Sequence, residues 1–207
     1  MALKPAIFLY IVIIFSAIIH EYAHGLMAYQ LGDPTAKYSG RLTLNPLAHI
    51  DPFGTVVLPL MLLWMGGFFI GYAKPVPFNP LNFKNEKSGT ALVGIAGPAS
   101  NLLIALILGL FVRFFGNFGF LAAISPSLSF IVLINIWLAL FNLLPLPPLD
   151  GSKIAIGLVP RSWEGFFFNL ERMSFISLFV ALALAMTVLP YIVPFIFKLI
   201  VGQTAVF

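Results

Sequence analysis

Long apolar runs separated by short polar loops make up most of this chain. Four of the runs are long enough to cross a bilayer, which takes about 20 residues as a helix. The first run ends at Gly32, a residue type that caps helices, with a helix-breaking proline two positions later. The pattern therefore predicts an all-α polytopic membrane protein with about four transmembrane helices, at about 5–31, 91–115, 128–144 and 173–189.

Two further stretches do not fit this simple pattern. The apolar stretch 55–72 contains one proline and several glycines, so it could be a full span or a re-entrant hairpin. Residues 41–45 alternate between polar and apolar positions and lie between Gly40 and Pro46, which predicts a strand or small β-hairpin. Pro190 and Pro194 are expected to interrupt the chain after the fourth run.

The composition agrees with a membrane protein. Of the 207 residues, 60% are hydrophobic and only 9% are charged, whereas about a quarter of the residues of a soluble domain are charged. We expect a single membrane-embedded domain over 1–207, with its core at 5–160 and a C-terminal transmembrane segment at about 170–200. The net charge of +4 is attributed to membrane topology, because the chain has no basic run typical of nucleic-acid binding.

One motif indicates metal chemistry. The chain has no cysteine and only three histidines, so a metal can be held only by His, Asp or Glu. His20 and His24 lie four residues apart in the first apolar run, with Glu21 beside the first of them. On a helix, two imidazoles at this spacing can converge on one Zn²⁺. Glu21 is then placed to take a proton from a water that the metal activates. This composition would produce roughly 0.001 such motifs by chance.

A catalytic zinc needs a third protein ligand. Asp150 follows a proline-rich break at the end of the third run. Irregular backbone at that depth is tolerated only where it is buried in protein or lines a cavity, so Asp150 is the favoured ligand. Two alternatives stay open. Asp150 could instead cap a short helix at 151–159, and Glu164 or Glu171 could be the ligand.

The motifs together resemble the site-2 protease family of intramembrane zinc proteases, in its short form without PDZ or CBS domains. Three elements occur in that family's order and cover roughly residues 15–160: His20-Glu-Tyr-Ala-His24, Gly94-Ile-Ala-Gly97-Pro98-Ala-Ser-Asn101 and Asn142-x-x-Pro145-x-x-Pro148-Leu-Asp150-Gly151. The resemblance implies one zinc ion held by His20, His24 and Asp150, with Glu21 as the catalytic base. It also implies that the substrate is the transmembrane segment of another membrane protein.

Three further residues are candidates for supporting roles. Asn101 and Asn142 could hydrogen-bond the substrate backbone or the developing oxyanion, or they could simply bond across helices. His49 could stand near the metal or gate access, or be a structural loop residue. The strand predicted at 41–45 could pair with an unwound substrate.

The topology follows from the ligand set. His20, His24 and Asp150 can share one depth only if 55–72 re-enters the membrane instead of crossing it. That arrangement puts eight Lys and Arg residues on one face and three on the other, which satisfies the positive-inside rule. We therefore expect the active site nearer the cytoplasmic face, the N-terminus outside, and a prokaryotic plasma membrane as the location.

Two other functions also place histidines in a membrane helix. A metal transporter would need polar groups along a path on both sides of the site, and the other runs are nearly free of ionisable residues. A catalytically silent membrane scaffold of the same fold is disfavoured because His20, Glu21, His24 and Asp150 are all present.

Overall fold

The computed structural model describes residues 3–57, 61 and 74–202. The chain divides into two compact units, Met1–Lys84 and Asn85–Phe207. No strand occurs among the described residues, which are mostly helical. Within these described ranges four helices are long and apolar enough to cross a bilayer, in agreement with the prediction of about four: Ile7–Gln30, Glu86–Phe115, Leu121–Asn142 and Ser174–Val201.

The first unit is built on the long helix α1 (Leu3–Gln30). Side chains at every fourth position are buried along one face, since residues four apart lie one above the other on a helix; they are Val12, Ser16, His20, His24 and Ala28. The helix end agrees with the sequence prediction. Gly32 has a φ of +103°, and Asp33 N–H donates to the carbonyl of Ala28 at 2.9 Å. The short helix α2 (Thr35–Tyr38) follows.

The strand predicted at 41–45 does not form, and this prediction is wrong. Thr43 Oγ1 accepts a hydrogen bond from Asn45 N–H at 3.1 Å. Asn45 Oδ1 in turn accepts from Leu47 N–H at 3.1 Å and caps the 3₁₀ helix Pro46–Ala48. Such local side-chain bonds to the backbone compete with a strand ladder. The alternation in the sequence therefore marks a capped turn.

Most of the predicted re-entrant stretch, 55–72, lies outside the described residues. Its beginning belongs to a π-helical turn, Pro52–Val57. Tyr10 on α1 donates its hydroxyl hydrogen to the carbonyl of Thr55. The re-entrant path itself stays a prediction.

The described part of the second unit has five α-helices, and several of them differ in extent from the sequence prediction. They are α3 (Glu86–Phe115), α4 (Leu121–Asn142), α5 (Asp150–Leu158), α6 (Glu164–Arg172) and α7 (Ser174–Val201). Helix α4 begins at Leu121 instead of 128, and α7 continues through Pro190 and Pro194 to Val201. Membrane helices tolerate proline where neighbouring helices compensate. Here α7 buries one continuous face against the core, including Leu189, Val193, Phe197 and Val201.

Close helix packing positions α5 within this unit. A Cβ added at Gly157 would lie 2.3 Å from Ala91 Cβ on α3. A Cβ added at Gly94 on α3 would lie 3.0 Å from Lys153 Cβ and 3.1 Å from the carbonyl oxygen of Asp150. Small residues that let two helices approach closely are typical of membrane proteins. They bring the start of α5, and hence Asp150, against α3.

Candidate active site

The two histidines of the motif face each other on α1. Their ring centroids lie 4.6 Å apart with the planes nearly perpendicular, at 86°. Both side chains are buried, with His20 7% and His24 5% exposed. The pairing follows from the four-residue spacing, as the sequence predicted. The two imidazoles therefore lie together on one face of an apolar helix in the first unit.

Glu21 is half-buried beside this pair. Its Oε2 accepts a hydrogen bond from the backbone N–H of Val76 at 2.7 Å. Val76 lies between Pro75 and Pro77, which have no N–H. The carboxylate expected to act as base is therefore held by a backbone donor 55 residues away in sequence.

Asp150 is the first residue of α5 in the second unit. The capping position belongs to Leu149, whose backbone is extended, and no side-chain cap bond is made there. The alternative role of Asp150 as an N-cap is therefore not observed. The Asp150 side chain is buried, and its Oδ1 lies 2.8 Å from Lys153 Nζ one turn further along. A negative charge in the first turn of a helix is also favoured by the helix dipole.

Close packing against backbone atoms explains why Asp150 is followed by a glycine, Gly151. A Cβ at position 151 would lie 2.3 Å from the carbonyl oxygens of both Leu143 and Leu144, just after the end of α4. Backbone atoms cannot move aside as a flexible side chain can. Only glycine therefore lets α5 begin this close to the proline-rich break and carry Asp150 there.

The other carboxylates considered as third ligand have different surroundings. Glu164 forms an ion pair with Lys87 at 3.1 Å, and its side chain is 46% exposed. Glu171 is also exposed. A ligand carboxylate in a dry site is expected to be buried, as Asp150 is. The surroundings of the three residues therefore favour Asp150.

The two asparagines lie in the second unit and make different contacts. Asn101 on α3 is fully buried, and its Nδ2 donates to Asn135 Oδ1 on α4 at 3.0 Å. Asn142 ends α4, and its Nδ2 donates to the carbonyl of Leu138 on the same helix at 2.9 Å. Their roles toward a substrate stay predictions. Asn135 was not among the predicted site residues, although an asparagine in the middle of an apolar run was an available signal.

His49 is buried within the loops of the first unit. Its Nε2 lies 2.8 Å from the carbonyl oxygen of Thr43, and its own carbonyl accepts from Lys74 N–H at 2.9 Å. Its Nδ1 has no hydrogen-bond partner among the described residues. These contacts show His49 joining two loop segments, while its predicted role near a metal is untested.

Asp33 follows Gly32 at the end of α1 and is fully buried. Oδ1 accepts from the hydroxyl of Thr35 at 2.5 Å and from Asn82 Nδ2 at 2.6 Å. Oδ2 accepts from Asn79 N–H at 2.7 Å. Burial by itself raises the pKa of this carboxyl, but the hydrogen bonds outweigh it and hold the pKa below the ordinary value. Asp33 thus fastens residues 79–82 to the end of α1.

The donor set has the chemistry of a zinc site. His20 and His24 of the first unit offer two imidazole nitrogens, and Asp150 of the second unit offers a carboxylate oxygen. Two histidines with one carboxylate are a ligand set found in catalytic zinc sites. The two imidazoles of α1 are buried and face each other at the four-residue spacing that suits zinc binding.

Comparison with known proteins identifies the family. Residues 119–188, which include Asp150, match the model of Peptidase family M50. A relative from Bacillus subtilis (strain 168), "Putative zinc metalloprotease YwhC", is 44% identical over 179 residues, which cover 84% of this chain and 78% of that protein. The chain belongs to peptidase family M50. The resemblance noted in the sequence is thereby confirmed.

More distant relatives carry a similar name. "Putative zinc metalloprotease Rip2" of Mycolicibacterium smegmatis (strain ATCC 700084 / mc(2)155) is 31% identical over 136 residues, and its counterpart in Mycobacterium tuberculosis (strain ATCC 25618 / H37Rv) is 30% identical over the same number. These matches cover 66% of this chain and 51% of each mycobacterial protein, so the chain spans about half their length. No solved structure matches the chain.

The family and the four apolar helices together establish the broad function. This M50 protein is a metalloprotease and an integral membrane protein. Zinc is the metal implied by the names of the relatives.

Proposed function

We propose that this protein is an intramembrane protease that cuts other membrane proteins within or next to their transmembrane segments. In this proposal His20, His24 and Asp150 hold one zinc ion per chain. The observation that carries it is the buried imidazole pair of α1 with Glu21 beside it. Ionisable groups inside a membrane helix are costly to bury, and they mark functional sites.

The proposed chemistry is hydrolysis with a single base. When bound, zinc supplies a Lewis acid that polarises the scissile carbonyl and makes a water more acidic. Glu21 accepts a proton from that water as the water oxygen attacks the carbonyl carbon. Glu21 then gives the proton to the leaving nitrogen as the C–N bond breaks, and returns to its carboxylate form. Asn101 and Asn142 are proposed to support the substrate backbone or the oxyanion.

The expected location is a prokaryotic plasma membrane, with the site nearer the cytoplasmic face. The charge asymmetry of the predicted topology supports this orientation, and the relatives named above are bacterial. The proposed partner is the transmembrane segment of a substrate protein. Since a helical segment has its carbonyls hydrogen-bonded, the substrate must unwind locally before cleavage.

The test uses the purified protein in lipid nanodiscs with a single-span reporter whose transmembrane segment contains a helix-breaking Asn-Pro pair. We expect cleavage inside that segment, mapped by mass spectrometry. Glu21→Gln should abolish turnover and keep the bound zinc, whereas Glu86→Gln, at the exposed start of α3, should leave turnover unchanged. Full activity of Glu21→Gln would contradict the mechanism. Zinc binding without cleavage of any single-span reporter would favour the silent scaffold.

A further inference from the structure

Residues 74–82 include the backbone donor that contacts Glu21. The following inference about this segment rests on the proposed function. We propose that the backbone N–H of Val76 orients the Glu21 carboxylate for proton transfer, and that Asp33 is a positioning residue that keeps this segment in place. Val76 N–H lies 2.7 Å from Glu21 Oε2. Asp33 is not in contact with Glu21, so its effect would pass through the segment.

The two flanking prolines leave Val76 as the only backbone N–H donor in the sequence Pro75-Val76-Pro77. Proline fixes its own φ and disfavours helix in the residue before it, so residues 75–77 remain extended. Val76 is buried while Pro75 and Pro77 are exposed. In an extended chain successive residues face opposite sides. The Val76 side chain faces Gly25 on α1, and the only N–H of this tripeptide donates to Glu21.

Gly25 permits the segment to lie against the helix. It lies one turn after Glu21 on α1, and a Cβ at this position would be 3.0 Å from Val76 Cγ1 and 3.3 Å from Ala36 Cβ. Contacts this short require the neighbours to move. The absence of a side chain at position 25 is thus matched to the side chain of Val76.

Both ends of the segment are fastened within the same unit. At the first end, Lys74 N–H donates to the carbonyl of His49 at 2.9 Å. At the other end, Asp33 accepts from Asn79 N–H at 2.7 Å and from Asn82 Nδ2 at 2.6 Å. The position of Val76 is therefore fixed from both sides, and loss of the Asp33 carboxylate would release one of them.

The hydrogen bond from Val76 holds one oxygen of the Glu21 carboxylate in place and leaves the other oxygen available to accept a proton. A glutamate side chain has several rotatable bonds, and a general base must lie within about 2.6–3.2 Å of the proton that it takes. A hydrogen bond to Oε2 restricts those rotations before a substrate binds. No donor among the described residues reaches Oε1, so this oxygen can accept the proton.

The direct test removes a single N–H. Replacing Val76 by its α-hydroxy analogue converts the amide to an ester and keeps the side chain. We expect kcat on the single-span reporter to fall about 10- to 100-fold, as when a catalytic group is slightly misplaced, with KM and zinc content unchanged. The same ester at Lys84, whose N–H has no partner among the described residues, is the control and should leave kcat unchanged.

A rescue experiment tests the packing. Gly25→Ala should displace Val76 and lower kcat. Adding Val76→Ala, which shortens the side chain and keeps the N–H, should restore most of that loss. A purely structural role of Val76 would instead make the double variant worse than Gly25→Ala alone.

Asp33 has a matched control in Asp51. Asp33 accepts hydrogen bonds with both carboxylate oxygens, whereas among the described residues Asp51 accepts only with Oδ1, from Phe53 N–H and Gly54 N–H. Asparagine keeps one acceptor oxygen, so Asp33→Asn should lower kcat at unchanged zinc content and Asp51→Asn should not. An unchanged or higher kcat in the Val76 ester, or loss of its zinc, would overturn the inference. An active Glu21→Gln would overturn the proposed function separately.

Discussion

Lys153 Nζ lies 2.8 Å from Oδ1 of Asp150, one turn along α5. The carboxylate side chain is only 7% exposed, while the lysine side chain is 32% exposed. The lysine thus gives a buried carboxylate a charged partner and keeps its own ammonium group near solvent, as long basic side chains commonly do. A residue of α5 itself therefore contributes to the orientation of Asp150.

We expect Lys153→Met to weaken zinc binding about 10- to 100-fold, the usual effect of removing a group that orients a metal ligand. The physical reason is that the carboxylate of Asp150 loses the charged group that contacts its Oδ1. Affinity is measured by competition with a zinc-chelating dye. Lys87→Met, which breaks the exposed pair with Glu164, should bind zinc as the parent does. Unchanged or tighter binding in Lys153→Met would show that the lysine does not support the ligand.

Asp33→Asn should destabilise the protein by about 2 kcal/mol, because a neutral amide would replace a buried carboxylate and turn its NH₂ group toward the donors that oxygen now accepts. For a chain of this size the Tm should fall by roughly 4–8 °C. Thermal unfolding in detergent measures this, with Asp51→Asn as the control. An equal loss in both variants would contradict the special role of Asp33.

The lowered pKa of Asp33 should make the stability of the protein depend on pH. Because the pKa of Asp33 lies below the ordinary value of 3.8 in the folded chain, its contribution to stability is present above the unfolded pKa and is lost as the pH falls through the folded pKa. The parent should therefore lose Tm steeply below about pH 4. Asp33→Asn lacks this contribution, and its Tm should fall less over the same range. Parallel curves would contradict the assignment.

Gly151→Ala should disrupt the start of α5, because the new Cβ would lie 2.3 Å from two backbone carbonyl oxygens. Overpacking of this kind typically costs about 1–3 kcal/mol, and the displaced Asp150 should bind less zinc. Gly165→Ala on α6 is the control, because no atom of the described residues lies within 4 Å of its added Cβ. Both Tm and zinc content are measured. A normal zinc content in Gly151→Ala would show that α5 tolerates the shift.

Asn101 could join two helices through its hydrogen bond with Asn135, or it could contact the substrate, and substitutions at both positions distinguish these roles. If its main role is to join α3 and α4, Asn101→Ala and Asn135→Ala should lower the free energy of unfolding similarly, by about 1 kcal/mol, and should lower cleavage to a similar extent. Parallel unfolding and cleavage assays measure this. Loss of cleavage confined to Asn101→Ala, at unchanged stability, would instead indicate contact with the substrate.

The helices and the histidine pair were predictable because their signals are local. Apolar runs of suitable length mark the spans, and a four-residue spacing is enough to bring His20 and His24 together. The prolines of α7 misled the prediction, since their effect depends on the helices packed around them. The supposed strand at 41–45 failed because side chains of the loop bond their own backbone.

The contacts around Glu21 could not be predicted from the sequence. Val76 and Glu21 are 55 residues apart, and Asp33 is 46 residues from Asn79. Neither partner belongs to a periodic pattern, and a backbone N–H has no sequence signature. The motif therefore singled out Glu21 as the proposed base, and only the fold revealed its hydrogen bond with Val76.

The most direct test of the account is the zinc content of the detergent-purified protein, measured beside Asp150→Ala. About one zinc per chain is expected in the parent, with clearly less in the variant, because two histidines alone leave the site one ligand short. A well-folded parent without zinc, or an Asp150→Ala variant with a full complement, would contradict the proposed site.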